Sequence, residues 1–125
     1  MYKFFEPLAK LYALNSRDSN HLLIVFDCDL FEVNTDIIKD VDLFFYDGPH
    51  DLQTTRDALI YYSETFADTC ICIFDDANWE GVVEGADEGI KQSNLTPMYS
   101  KKMLNKIEDS SQWWNGLYIV VVIKE

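Results

Sequence analysis

Acidic side chains follow three apolar segments of this sequence, at the point where each segment ends. Residues 22–26 run into Asp27-Cys28-Asp29, residues 41–46 into Asp47-Gly48-Pro49-His50, and residues 69–74 into Asp75-Asp76. Short apolar runs with β-branched residues are typical of buried strands in a parallel sheet. Ligands of such sheets bind beyond the carboxyl ends of the strands. The pattern therefore favours a functional site, although single carboxylates there also serve as helix caps and turn formers.

Asp47, Asp75 and Asp76 form the candidate metal site. They end two segments that are expected to be neighbouring parallel strands, which would place their carboxylates within reach of one cation. Oxygen ligands that leave open positions suit Mg²⁺, with Mn²⁺ and Ca²⁺ as alternatives, better than they suit zinc. The competing interpretation is that Asp75 or Asp76 caps a helix that begins near Glu80.

His50 is the candidate catalytic residue. It lies three positions after Asp47, at the mouth of the same predicted crevice. Imidazole exchanges a proton near neutral pH, so a histidine there could act as a general base. An equally open alternative is that His50 is a turn residue that bonds a backbone group.

The spacing of apolar residues predicts the elements that position these side chains. Residues 2–14, 51–66 and 80–92 have helical periodicity, and Asp51 is placed to cap the second helix. Strands alternate with helices through the middle of the chain, which predicts an α/β fold with a parallel sheet covered on both faces. Residues 97–104 and 117–123 have no helix between them and predict a C-terminal antiparallel hairpin. No repeat or linker is evident, so residues 1–125 are predicted to form a single domain.

The composition of the chain argues against some classes of binding partner. Ten basic against 22 acidic residues give a net charge of −12, which repels phosphate backbones and argues against nucleic acid as a partner. No apolar run approaches the roughly 20 residues of a membrane span. Cys70 and Cys72 alternate in an apolar segment and are expected to be core residues. With no signal-peptide pattern near Met1, a cytoplasmic location is expected.

Two segments together resemble a known enzyme family. Phe44-Phe45-Tyr46-Asp47-Gly48-Pro49-His50, followed by Phe74-Asp75-Asp76-Ala77-Asn78-Trp79, is similar to the class I S-adenosylmethionine-dependent methyltransferases grouped with cephalosporin-hydroxylase-like and macrocin-type O-methyltransferases. The resemblance spans residues 22–125. It implies a Rossmann-like fold and methyl transfer from S-adenosylmethionine to the hydroxyl of a small molecule. It also implies a metal ion on Asp47, Asp75 and Asp76, deprotonation by His50, and a bond from Asp29 to the adenine of the cofactor.

The sequence departs from this family at the cofactor loop. Complete members begin with a strand and a glycine-rich turn, whereas the first glycine here is Gly48. The resemblance therefore implies an N-terminally truncated fold that lacks its first two strands, and it leaves open whether the lone chain is an active enzyme. One alternative is an inactive or split-enzyme binding and assembly module, with a partner chain or a homo-oligomer covering an open sheet edge. Another is a different metal-dependent enzyme that uses the same carboxylates.

Overall fold

The computed structural model describes residues 8–13, 22–105 and 114–125. Backbone contacts divide the chain into two compact units, Met1–Asn34 and Thr35–Glu125, here called the first and the second unit. This division does not test whether residues 1–125 form a single domain, which stays a prediction.

The first unit contains two strands, β1 (Leu8–Ala13) and β2 (Leu22–Asp27), which form an antiparallel two-stranded sheet. The predicted helix over residues 2–14 is therefore wrong for residues 8–13; residues 2–7 and 14 lie outside the described ranges. The prediction that β2 belongs to the parallel sheet is also wrong, because it pairs with β1 in a sheet of its own. A short, mostly apolar segment fits the helix and the strand period alike, so periodicity could not separate them.

The second unit is a mixed α/β structure built on a four-stranded sheet. In chain order its elements are β3 (Val41–Tyr46), α1 (Leu52–Ser63), β4 (Phe66–Asp75), α2 (Glu80–Gln92), β5 (Leu95–Met103) and β6 (Leu117–Lys124), after a 3-10 turn at Thr35–Ile37. The strand order is β3-β4-β6-β5. Strands β3 and β4 are parallel, and β6 is antiparallel to both β4 and β5. The α/β class, the parallel pair and the C-terminal antiparallel hairpin are thus confirmed.

The two helices begin where the sequence predicts. Asp51 is the N-cap of α1, and its carboxylate accepts the Thr54 N–H at 2.8 Å. Helix α1 ends at Ser63 and not at Phe66, because Phe66 already pairs with β3 as the first residue of β4. None of the helices in the described ranges combines the length and the hydropathy that a membrane span requires.

Both helices pack on the same face of the sheet, so the prediction of helices on both faces is wrong. The crossovers β3-α1-β4 and β4-α2-β5 step in the same direction through the strand order. Because such crossovers between parallel strands are almost always right-handed, two steps in one direction place both helices on one side. A helix on the second face would require a crossover in the other direction. Strand β2 could have supplied such a crossover, but it lies in a separate sheet.

The core lies between the sheet and the two helices. The Phe44 ring lies 5.8 Å from the ring of Tyr62 on α1, which identifies the helix-covered face of the sheet. This face also holds the buried residues Cys70, Cys72, Phe74, Tyr118, Val120 and Val122. The two cysteines are therefore core residues, as predicted.

Glycines on α2 allow the two helices to approach closely. Gly81, Gly85 and Gly89 recur at helical spacing along α2, and a Cβ atom on Gly85 would lie 2.5 Å from the Leu52 carbonyl oxygen of α1. No side chain can occupy that position without a shift of the α1 backbone. This contact fixes the position of the N-terminus of α2, next to the ends of β3 and β4.

Candidate functional site

Carboxylates gather where the parallel strands end. Tyr46 of β3 is aligned with Phe74 of β4, so the residues that follow, Asp47 and Asp75, project from neighbouring strand ends. Asp47, Asp75 and Asp76 each offer an oxygen, and these three atoms lie within 4.8 Å of one another. Asp47 is exposed and the other two are half-buried. The structure therefore brings together all three of the predicted metal ligands.

Asp76 has a left-handed backbone conformation, with φ 58°. Its N–H donates to the Asp75 Oδ1 atom at 2.8 Å, and its carbonyl oxygen accepts the Trp79 N–H at 3.0 Å. The N-cap of α2 is Trp79, without a side-chain hydrogen bond. The alternative in which Asp75 or Asp76 caps α2 is therefore wrong: the turn directs the Asp76 carboxylate toward other partners.

His50 is one of those partners. Its Nε2 atom lies 2.9 Å from Asp76 Oδ2, with the His50 side chain 40% exposed. The alternative was that His50 bonds a backbone group. The partner of its Nε2 atom is instead a carboxylate. A neutral imidazole that donates through Nε2 keeps Nδ1 as an acceptor of protons. The His50 ring also stacks on Trp79, with centroids 5.1 Å apart and planes inclined by 29°.

The turn that carries Asp47 and His50 is held against the core. The Tyr46 hydroxyl donates to the Pro49 carbonyl oxygen at 2.7 Å, which folds the turn back over the tyrosine ring. A Cβ atom on Gly48 would lie 2.8 Å from that ring, so any other residue there would have to displace the Tyr46 ring. On its other side, a Cβ on Gly81 would lie 2.7 Å from the His50 carbonyl oxygen. His50 is therefore positioned both by β3 and by the start of α2.

Asparagines that the sequence analysis did not identify support the site from the β5–β6 connection. The Asn115 Nδ2 atom donates to Asp76 Oδ1 at 3.3 Å, and the Asn115 carbonyl oxygen accepts the Asn78 N–H at 2.7 Å. The Asn78 Nδ2 atom donates to the Asn105 carbonyl oxygen at 2.9 Å, and Asn78 Oδ1 accepts the Asn105 N–H at 3.2 Å. The Asn115-Gly116 pair, a typical turn dipeptide, was the available signal for this connection.

The crowding of carboxylates changes the proton affinity of Asp47. Partial desolvation at the strand end, then repulsion from Asp75 and Asp76, raises the pKa of Asp47, while His50 opposes the change. The charges of Asp75 and Asp76 both favour a proton or a cation beside Asp47. Hard oxygen donors at this separation suit an ion such as Mg²⁺ or Mn²⁺.

Asp29 belongs to the first unit. Its Oδ1 atom accepts the N–H of Phe31 at 3.0 Å, the geometry of a carboxylate-stabilised turn. Its predicted contact with a cofactor stays a prediction.

The chain was compared with protein-family models, curated proteins and solved structures, and none of them matches it.

Proposed function

We propose that this chain is the cation-binding half of an S-adenosylmethionine-dependent O-methyltransferase. The observation that carries the proposal is the convergence of Asp47, Asp75 and Asp76 within 4.8 Å at the ends of two parallel strands. His50, 2.9 Å from Asp76, supplies a base at the same place. A base beside a cation site suits the activation of a hydroxyl group, which O-methyl transfer requires.

Each residue has a distinct part in this proposal. A divalent ion on the three carboxylates would orient a substrate hydroxyl and lower its pKa. Asp76 orients the His50 imidazole through Nε2, so that Nδ1 can accept a proton. Trp79, whose side chain is 54% exposed and stacks on His50, forms an apolar wall for the small-molecule substrate.

The residues present fit the cofactor only in part. Asp29 is an acid suited to the adenine amino group, but no glycine precedes Gly48, so the chain lacks a turn that could cradle the methionine end. The proposal includes a partner chain that supplies this turn and pairs with β3, the end strand of the sheet order, in the cytoplasm.

Calorimetric titration of the chain with S-adenosylmethionine, with and without Mn²⁺, tests the proposal. We expect Mn²⁺ to bind and the cofactor to bind weakly or not at all until a partner is added. Tight cofactor binding by the lone chain would show a complete enzyme. Metal binding with a partner present but still without cofactor binding would favour a different metal-dependent enzyme.

The variant His50→Ala distinguishes the contribution of the base from that of the cation site. Because His50 is a neighbour of Asp76 and not one of the three ligands, Mn²⁺ affinity should change by only about twofold, which electron paramagnetic resonance of free Mn²⁺ can measure. Methyl transfer by the enzyme assembled with its partner should fall by about 10²- to 10⁴-fold. Trp79→Leu removes the ring stacked on His50 and keeps the base, so it should reduce transfer less than His50→Ala does. A His50→Ala enzyme with undiminished transfer would remove His50 from the mechanism.

A further inference from the structure

The face of the four-stranded sheet opposite to α1 and α2 is apolar, and no element within residues 35–105 and 114–125 covers it. We call it the open face. Its side chains alternate with those of the buried face along each strand, as the register requires. The open face comprises Leu43, Phe45, Ile71, Ile73, Tyr99, Ile119 and Val121.

Four of these side chains are exposed, three of them on the end strands β3 and β5. Leu43 is 54% exposed, Phe45 50%, and Tyr99 57%. Ile71 lies on β4, an interior strand of the sheet, and is still 42% exposed. Contiguous exposed apolar surface of this kind marks interaction sites in proteins.

Charge surrounds the open face but is nearly absent from its middle. Asp47 and Asp75 follow the carboxyl ends of β3 and β4, and the exposed Asp40 precedes β3 at the opposite end. Lys101 of β5, which lies opposite Ile119 of β6, adds a basic residue to this face. The whole chain carries a net charge of −12. A ligand for this surface therefore combines an apolar stripe with basic flanks.

We propose that the open face binds an amphipathic α-helix of a partner protein, with Lys or Arg residues flanking its apolar stripe. Parallel strands are usually covered by helices on both faces, and α1 and α2 already cover one face of the parallel pair β3 and β4. A strand of six residues spans about 20 Å, which a helix of about 13 residues matches. The inference concerns a surface distinct from the carboxylate site and does not rest on the proposed function.

A second copy of the chain fits this surface less well. Each copy carries −12, so two copies repel one another before their apolar faces meet.

Binding of a synthetic helix to the full chain tests the proposal. The probe is a fluorescein-labelled 18-residue amphipathic peptide of Leu and Lys, and its counterpart has Glu in place of Lys. Anisotropy is measured in EDTA, so that no divalent ion contributes and the result stays separate from the cation site. We expect the Leu/Lys peptide to bind at least about fivefold more tightly than the Leu/Glu peptide.

Two double variants locate the binding surface. Leu43→Thr/Ile71→Thr removes two exposed side chains of the open face without changing charge, and should weaken binding at least about fivefold. Leu104→Thr/Trp114→Thr removes two side chains that are 54% and 59% exposed outside this face, and should change it less than about twofold.

Three outcomes would overturn the proposal. One is equal binding of the Leu/Lys peptide to both double variants, which would reduce the contact to unspecific charge attraction. Another is absence of binding up to about millimolar peptide. The third is a dimer in sedimentation experiments that Leu43→Thr/Ile71→Thr converts to a monomer, which would make a second copy the occupant.

Discussion

At the scale of single residues, the main feature of the site is the repulsion between neighbouring carboxylates. Asp47, Asp75 and Asp76 bring three carboxylates within 4.8 Å, and Asp76 also has a left-handed backbone. Such arrangements cost free energy of folding and persist where the surrounding structure enforces them. His50 and Asn115 each bond one oxygen of Asp76 and offset part of that cost.

Asp47→Asn should stabilise the metal-free protein, and the gain should depend on pH. Because the folded state raises the pKa of Asp47, the charged carboxylate destabilises the fold at neutral pH. This penalty disappears as pH falls through the raised pKa toward the ordinary aspartate value near 4. We expect a gain of about 0.5 kcal/mol at pH 7.5, the scale of exposed charge interactions, and a smaller gain at pH 5.

Urea unfolding in EDTA at the two pH values measures this difference. Asp68→Asn, which changes an exposed carboxylate on the same strand pair outside the cluster, is the control. A gain from Asp47→Asn that grows as pH falls would contradict the assigned repulsion.

The sequence predicted the charged members of the site and missed the amides. Asp47, His50 and the Asp75-Asp76 pair come from neighbouring parallel strands, and the rule that ligands bind at such strand ends brings them together without coordinates. Asn115 reaches Asp76 across 39 positions of sequence through the β5–β6 connection. The local periodicity of apolar residues does not indicate where that connection folds back.

At the scale of elements, the Asn78 side chain connects the loop between β4 and α2 to the β5–β6 connection. Asn78→Ala should remove its hydrogen bonds to the part-buried Asn105, at a cost of about 1–2 kcal/mol in unfolding free energy. The loss should also weaken Mn²⁺ binding, because Asp76 lies in the same loop. Urea unfolding and Mn²⁺ titration measure the two effects.

A double-mutant cycle with Asn105→Ala isolates the bond between the two side chains, in which Asn78 Nδ2 donates to Asn105 Oδ1 at 3.0 Å. The bonds from Asn78 to the Asn105 backbone do not depend on the Asn105 side chain, so the cycle measures the side-chain bond alone, and the second substitution should cost less in the presence of the first. Strictly additive losses would mean that this side-chain bond contributes nothing to the loop.

Gly85→Ala tests the contact between α1 and α2. Alanine in a helix is normally favourable over glycine by about 1 kcal/mol. Here the new Cβ atom would lie 2.5 Å from the Leu52 carbonyl oxygen, so we expect a net loss of about 1–3 kcal/mol. Glu84→Ala, at the exposed neighbouring position of α2, should change the unfolding free energy by less than about 0.5 kcal/mol. A stabilised Gly85→Ala protein would show that the helices are not in close contact.

The sequence predicted an element correctly where a long apolar pattern or a cap residue marked it. It predicted less well where the outcome depended on the topology of the chain. Helix α2 and the hairpin of β5 and β6 follow from periodicity, and Asp51 marks the start of α1. The segment 8–13 is too short for its pattern to distinguish a helix from a strand. The face on which the helices lie depends on the direction of both crossovers, which the sequence does not encode locally.

At the scale of the whole molecule, we assign partners to two regions of the second unit, the carboxyl end of its parallel strands and the open face. The carboxylates stand at the ends of β3 and β4, and the open face borders them through Asp47 and Asp75. A net charge of −12 draws cations to the first of these regions and basic partners to both. The central claim is that the carboxylates at the strand ends hold a divalent ion.

The measurement that tests this claim most directly is the melting temperature of the chain as Mg²⁺ or Mn²⁺ is added, with NaCl of equal ionic strength as the reference. An ion that binds only the folded state stabilises it by mass action. We predict a rise of at least about 5 °C at about 10 mM Mg²⁺. Asp47→Asn/Asp75→Asn should abolish the rise, and the control Asp42→Asn/Asp68→Asn, with two exposed carboxylates changed on the same strands, should keep it. Equal melting temperatures in Mg²⁺, Mn²⁺ and NaCl would contradict the cation site.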